Sequence, residues 1–94
     1  MKTGKHTAFM IDFIEEFVNG QTDRLFFDLD YSAYVIEHFP HMERENPKLA
    51  DRFAHTVDQA YEWGTENDLS DDDFRDEIAE ALDTWLRRDN IDID

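Results

Sequence analysis

The sequence lacks cysteine entirely and contains only three glycines and two prolines among its 94 residues. The absence of cysteine excludes disulfide bonds, thiolate metal sites and cysteine nucleophiles, and it leaves the redox compartment open. So few glycines and prolines suit a helical domain with few turns. A chain of this length makes one domain, spanning 1–94, with enough surface to bury a single core.

A long apolar run is also missing. The basic N-terminal segment 1–6 has the charge that begins a signal peptide, but Asp12, Glu15 and Glu16 interrupt the apolar stretch that follows it. No segment approaches the roughly 18 apolar residues that a membrane span requires. We therefore expect a soluble cytoplasmic protein with no membrane partner.

Basic residues are scarce, since nine Lys and Arg face 24 Asp and Glu and the formal net charge is −15. A field of this sign repels nucleic acid and anionic membranes and attracts basic partners. Hydrophobic residues nevertheless make up 40% of the chain, which is too much for a disordered acidic tail. General bacterial acidity and adaptation to salt are two ordinary explanations. Clustering favours a functional one, because Arg75 is the only basic residue among the many acids of 66–83.

Apolar residues recur every three or four positions in four segments, which predicts four amphipathic helices. We place these helices near residues 7–19, 28–39, 47–63 and 71–88. Residues 25–29 also fit a short buried strand, because a brief apolar run does not distinguish a strand from a helix. The fold class that the pattern predicts is all-α, a compact four-helix bundle.

The predicted helix ends depend on residues with known terminal preferences. Gly20 and Gly64 are of the type that ends a helix, so we expect the first and third helices to stop there. Asn46 and Ser70 are of the type that begins one, because their side chains accept a bond from a first-turn N–H. Pro40 disfavours helix at the residue before it, and we expect a kink or a break there. The tail, residues 89–94, is expected to fray.

The aromatic residues near the C-terminus have different expected roles. Trp85 lies on the apolar stripe of the last helix and is assigned to the core, and Tyr61 is expected to be buried. Trp63 lies off the stripe, beside Glu62 and Glu66. An exposed aromatic residue within an acidic ring is typical of a protein–protein hot spot.

The run 25–30 resembles the first motif of the haloacid-dehalogenase phosphatases, in which an apolar strand delivers a nucleophilic and an acid/base aspartate, here Asp28 and Asp30. Tyr31 and Ser32 replace the residues that this motif requires next. The doubly wound sheet that holds the motif does not fit a short chain of helical pattern. Neither Ser32 nor Ser70 has a histidine or glycine setting for nucleophilic catalysis. We expect no catalytic residue and no enzyme activity.

Two segments have part of a metal-binding pattern. His38 and His41 have a spacing that suits a shared metal, but a proline lies between them and no third ligand is obvious. We interpret His38 as a hydrogen-bonded core residue. In a calcium loop that starts at Asp68, Asp73 stands where glycine is needed and Ala79 where glutamate is needed. We expect no metal and no cofactor.

Several features recur in one known family: an apolar first helix that ends in glycine, an aromatic second helix, and then Asn46-Pro47-x-Leu49-x-Asp51-x-Phe53. The segments Asp58-x-Ala60-Tyr61-Glu62 and Leu69-Ser70-Asp71-Asp72-Asp73-Phe74-Arg75-Asp76 follow. This layout, from Phe9 to Leu86, resembles the colicin D type of immunity protein, including relatives that protect against contact-dependent growth inhibition toxins. The resemblance implies a small bundle that binds a co-produced toxin nuclease, often one that cleaves tRNA. Its carboxylates would cover the basic active-site cleft in place of RNA phosphates, without a cofactor.

The expected contact residues are acids of the C-terminal half with one tryptophan as an anchor. They are Asp51, Asp58, Glu62, Trp63, Glu66, Asp68, Asp72, Asp73, Asp76, Glu77 and Glu80. We expect a basic protein partner and no nucleic acid. Two alternatives stay open: a phage-type nucleic-acid mimic that inhibits a host defence nuclease, and a small acidic regulatory or scaffold domain.

Overall fold

The computed structural model describes residues 4–87, which contain five helical segments. These are α1 (Lys5–Val18), α2 (Arg24–Glu45), α3 (Pro47–Ala54), α4 (Val57–Glu66) and α5 (Asp71–Leu86). The short helices α3 and α4 follow one another and together take the place of the third helix. The predicted all-α four-helix bundle is confirmed. Within this part of the chain, no helix is long and apolar enough to cross a membrane.

One aromatic core joins the helices. The ring of Phe27 stacks on Phe13 and Phe17, with centroids 5.0 and 4.2 Å apart, and Phe74 of α5 meets Phe17 edge-on at 5.8 Å. Trp85 is fully buried, and its indole Nε1 donates to a carbonyl oxygen of α3 at 2.9 Å. The prediction that Trp85 belongs to the core is confirmed. Large rings make up much of this core, and each buried ring removes a large apolar surface from water.

The second helix is longer than predicted and passes through its proline. It begins at Arg24, so the strand alternative for residues 25–29 is wrong, and it continues beyond Pro40 to Glu45. A proline inside a helix costs roughly 3 kcal/mol or more, because it removes a hydrogen bond and its ring clashes with the preceding turn. Here the turns on both sides pack against the core, through half-buried Phe39 and fully buried Met42. This packing offsets the cost. A break at Pro40 is therefore wrong, and a kink there stays a prediction.

The predicted third helix is divided at His55 and Thr56. The Thr56 hydroxyl donates to the Arg52 carbonyl oxygen at 2.6 Å, and the Nδ1 atom of His55 lies 2.8 Å from the Asp51 carbonyl oxygen. Side chains that take carbonyl groups in this way compete with the helical backbone pattern. The backbone of Thr56 leaves the helical region, with φ −124° and ψ −79°. The chain then starts α4 in a new direction.

Gly64 does not end its helix, in contrast to the prediction. It is buried within α4, which runs on to Glu66, and a Cβ atom at this position would lie 2.6 Å from Cδ1 of Phe74. The reversal occurs instead at Asp68, which takes a left-handed conformation with φ 53°. Glycine is therefore needed here because α4 and α5 approach each other closely.

The other predicted ends are confirmed by their geometry. Gly20 has φ 84° directly after α1, the Asn46 side chain accepts from the N–H of Leu49 at 3.1 Å, and Ser70 accepts from the N–H of Asp73 at 3.2 Å. The last helix ends at Leu86. The prediction of helix up to residue 88 and of a frayed tail lies outside the described residues beyond position 87.

The end of α2 also holds the start of α1. The Glu45 carboxylate accepts from the N–H groups of His6 and Thr7 at 2.8 and 2.9 Å, and from the Thr7 hydroxyl at 2.7 Å. Partial burial raises the pKa of Glu45, but these hydrogen bonds outweigh burial and the pKa lies below its ordinary value. The negative charge of a carboxylate at this position is also attracted to the partial positive charge at the N-terminus of α1.

Candidate partner-binding surface

Three arginines bind carbonyl groups near helix ends. The pairs are Arg24 with Leu69 (2.7 Å), Arg52 with Trp85 (2.9 Å) and Arg75 with Phe17 (2.9 Å). Two of these guanidinium groups also lie over aromatic rings: Arg24 is 4.1 Å from the Phe74 centroid and Arg75 is 4.8 Å from the Phe17 centroid. Each arginine therefore ties two separate elements of the bundle together.

These structural roles leave the arginines little capacity to neutralise acids. Arg24 pairs with Asp28 at 3.5 Å and with Asp71 at 3.3 Å, and Arg75 lies 3.9 Å from Asp72, at the outer limit of an ion pair. Many acids of α4, α5 and the turn between them have no ion-pair partner within residues 4–87. These are Glu62, Glu66, Asp68, Asp73, Asp76, Glu77 and Glu80.

Three like-charge pairs lie four residues apart on α5: Asp72 with Asp76, Asp73 with Glu77, and Asp76 with Glu80. Each such pair destabilises a helix by about 0.2–0.5 kcal/mol. Asp73 gains some compensation because it lies in the first turn, where negative charge is favourable. The later acids have no such help. The face therefore carries negative charge at a cost to folding stability.

Three of the predicted contact residues meet in a groove between α4 and α5. Trp63 projects from α4 with 51% of its surface exposed, and Glu77 and Glu80 project from α5. The groove has a volume of about 460 Å³. Ala81 is the only buried residue of its lining, and the others, Ala60 among them, are half-buried or exposed. The prediction that Trp63 is exposed beside acids is confirmed.

Two further predicted residues, Asp58 and Glu62, lie on the other side of α4, in a groove of about 310 Å³ shared with α2. Asp58 accepts from the buried hydroxyl of Tyr31 at 2.8 Å. Burial raises the pKa of Tyr31, and the charge of Asp58 raises it further. Asp58 therefore serves the fold, because it satisfies a hydroxyl group that would otherwise be buried without a partner.

Tyr61 is only half-buried, although the sequence suggested burial. Its ring stacks on Tyr31 with centroids 4.0 Å apart, and burial followed by the charge of Asp28 raises its pKa to about 12. One edge of Tyr61 lines the groove between α2 and α4. The two tyrosines thus form the contact by which α2 and α4 meet.

The remaining predicted contact residues are exposed but are not gathered in a cavity. Glu66 is the last residue of α4, Asp68 lies in the turn that follows, and Asp72, Asp73 and Asp76 lie in the first half of α5. This turn and the outer face of α5 adjoin the groove that holds Trp63. They form one acidic face with it.

Asp51 lies apart from this acidic face. It is exposed on α3, where its carboxylate is 3.6 Å from the Nδ1 atom of His55 and pairs with that ring when the histidine is protonated. The predicted contact residues are therefore divided between the α4–α5 face, the α2–α4 groove and α3.

A histidine cluster between the start of α1 and the C-terminal half of α2 was missed by sequence reasoning. The Nδ1 atoms of His6 and His38 are 2.8 Å apart, and His41 stacks on His6 with centroids 4.1 Å apart. His38 is half-buried and stacks on Phe9. Its predicted hydrogen bond is confirmed, with another histidine as the partner, but the prediction that it belongs to the core is wrong. Within residues 4–87, no group of three or more possible ligands is placed to hold a metal ion. Nothing in the spacing of the sequence links His6 to His38.

Comparison with known proteins gives no assignment, since no family model, curated protein or solved structure matches this chain. The acidic face is therefore the feature from which a function is inferred. It consists of the unpaired carboxylates of α4, α5 and the turn between them, the exposed indole of Trp63 and the groove between α4 and α5.

Proposed function

We propose that this chain is an immunity protein that binds and neutralises a bacterial toxin nuclease, most simply a tRNase, by covering its basic cleft with the acidic face of α4 and α5. One observation carries the proposal. Most acids of this face, among them Asp76 and Glu80, have no ion pair within residues 4–87, because acids far outnumber bases and the nearby arginines also bind carbonyl groups. The chain retains a field that only an external cation would neutralise.

The physics of association favours such a partner. Nuclease clefts place Lys and Arg side chains against phosphates, so a matched set of carboxylates binds the same cations. Opposite fields raise association rates well above those of neutral pairs, and close interfacial charge pairs couple by about 1.5–7 kcal/mol. The protein needs no catalytic residue and no cofactor for this activity. The proposal places it in the cytoplasm, where it would meet the toxin.

A nucleic-acid mimic directed at a host defence nuclease would use the same carboxylates against a different target. Gene order separates the two functions, because an immunity gene is expected to follow its toxin gene directly. A regulatory or scaffold domain with incidental acidity is a third function, and the exposed, unpaired charges argue against it. Folding stability alone would favour neutralisation of these acids by the chain's own arginines.

The test is capture of the partner from the producing cell. The tagged chain is used as bait, bound proteins are identified by mass spectrometry, and binding is then measured in a salt series. We expect a basic nuclease whose affinity falls steeply between about 50 and 500 mM salt, since the Debye length shortens over this range. A partner whose affinity does not change with salt would refute a charge-matched inhibitor.

A further inference from the structure

The groove between α4 and α5 has a composition that goes beyond a general acidic surface. Its polar lining groups are the carboxylates of Glu77 and Glu80, the amide of Gln59 and the hydroxyls of Thr56 and Thr84, with Trp63 beside them. No cationic side chain of residues 4–87 lines it.

Each of the two hydroxyl groups already donates its proton to a backbone carbonyl within the protein. The Thr56 hydroxyl donates to the Arg52 carbonyl at 2.6 Å, and the Thr84 hydroxyl donates to the Glu80 carbonyl at 3.1 Å. Their oxygens keep lone pairs and can act only as acceptors. With two carboxylates and an amide oxygen beside them, the groove offers many acceptors and an aromatic surface to whatever enters it.

We infer that this groove binds one arginine side chain of the partner, an assignment that rests on the proposed function and specifies it. A guanidinium group presents five donors in a plane, pairs with a carboxylate through two parallel bonds, and is attracted to the face of an indole ring. Glu77 and Glu80 are three residues apart on α5, so both reach the same side of the helix. Trp63 supplies the ring from the facing helix.

The same combination occurs twice inside this molecule. Arg24 lies over the ring of Phe74 while it donates to a carbonyl, and Arg75 does the same over Phe17. The groove also combines an aromatic ring with hydrogen-bond acceptors, but there the ring is the indole of Trp63 and the acceptors include two carboxylates in place of a backbone carbonyl. An apolar side chain in this position would desolvate two carboxylates without compensation, and an anion would be repelled.

The inference is tested without the nuclease, by NMR titration of the full-length ¹⁵N-labelled chain with the peptide acetyl-Gly-Arg-Gly-amide. The neutral isostere with citrulline and the lysine peptide are the matched ligands. We expect saturable shifts of the Trp63 indole N–H and the Gln59 side-chain amide. Affinity should be roughly tenfold weaker for both matched ligands, because citrulline lacks the charge and lysine lacks the planar donors.

Variants identify the groove. Glu77→Gln with Glu80→Gln should abolish these shifts, whereas Glu37→Gln with Glu43→Gln, which removes two exposed charges on α2, should preserve them. Equal binding of citrulline or lysine, or shifts that survive the first variant, would overturn the assignment. Arginine binding without a nuclease partner would leave the groove assigned and refute the proposed function. Binding of a nuclease without binding of the arginine peptide would support the proposed function and refute the assignment of the groove.

Discussion

Substitution of Gly64 by alanine sets two physical effects against each other. Helix propensity alone predicts that alanine in the interior of α4 stabilises the protein by about 1 kcal/mol, because glycine loses more conformational freedom on folding. The structure predicts the opposite sign. The added Cβ would lie 2.6 and 2.8 Å from two ring atoms of Phe74, closer than carbon atoms approach without movement.

The ring of Phe74 has little room to move away. It is fully buried, the guanidinium of Arg24 covers it at 4.1 Å, and the rings of Phe17 and Tyr61 meet it with centroids 5.8 Å away. Overpacking of this kind costs about 1–3 kcal/mol. After subtraction of the propensity gain, we expect Gly64→Ala to destabilise the protein by up to about 2 kcal/mol. The melting temperature should fall by roughly 4–8 °C for each kcal/mol of stability that is lost.

Urea unfolding followed by circular dichroism measures this change, and a double-mutant cycle identifies its cause. Phe74→Leu removes the ring atoms that clash, so Gly64→Ala should be less harmful, or even stabilising, in that background. A stabilised single variant, or the same cost with and without the Phe74 ring, would refute the close-approach explanation. The comparison also concerns function, because the separation of α4 and α5 sets the width of the groove beside Trp63.

Three further predictions concern the acidic face and two buried hydrogen bonds. Substitution of Asp72, Asp76 and Glu80 by Lys should slow association with the partner and abolish protection in a growth assay. The matched substitution of Asp30, Glu37 and Glu43 by Lys on α2, which packs mainly against α1 and α3, should have neither effect. Equal effects of the two variants would rule out the α5 face as the contact surface. Glu45→Gln should lower stability by about 1 kcal/mol near neutral pH, because one acceptor of the α1 cap is lost. Because folding lowers the pKa of Glu45, this carboxylate stabilises the folded protein above the ordinary glutamate pKa, and the stabilisation is lost as the pH falls through the pKa of the folded state. The free energies of unfolding of the parent and the variant should therefore converge in acid. A difference that persists in acid would contradict the role of Glu45 as a cap of α1. Tyr31→Phe should cost about 1 kcal/mol. The pKa of Tyr31 is higher in the folded protein than in the unfolded chain, so the parent should lose stability as the pH rises above about 10, where the unfolded tyrosine ionises. The Tyr31→Phe variant should lose less stability over this range. Identical alkaline unfolding curves would argue against the hydrogen bond to Asp58.

Interactions within one or two turns were predictable from the order of residues. Periodic apolar positions identified a helical bundle with Trp85 in its core, and Asn46 and Ser70 marked true helix starts. These features depend on contacts between residues three or four apart, so the local pattern is sufficient. The exposed position of Trp63 followed from the same periodicity.

Errors occurred where distant packing overrides local preference. Pro40 stays inside α2 because the turns on both sides are held by the core, and Gly64 stays inside α4 because a ring from α5 lies against it. The histidine pair of His6 and His38 joins residues 32 positions apart. No spacing rule reports such contacts, because they exist only once the helices have packed.

The acidic face shows the same division. Helical spacing alone placed Asp76 and Glu80 near one another, and composition alone made the whole chain strongly negative. Whether these charges are neutralised internally depended on the destinations of the arginines. Arg75 reaches the Phe17 carbonyl 58 positions away, and Arg24 reaches the Leu69 carbonyl 45 positions away. Only the folded structure brings those carbonyl groups to the arginines, and this is why the carboxylates remain open to another molecule.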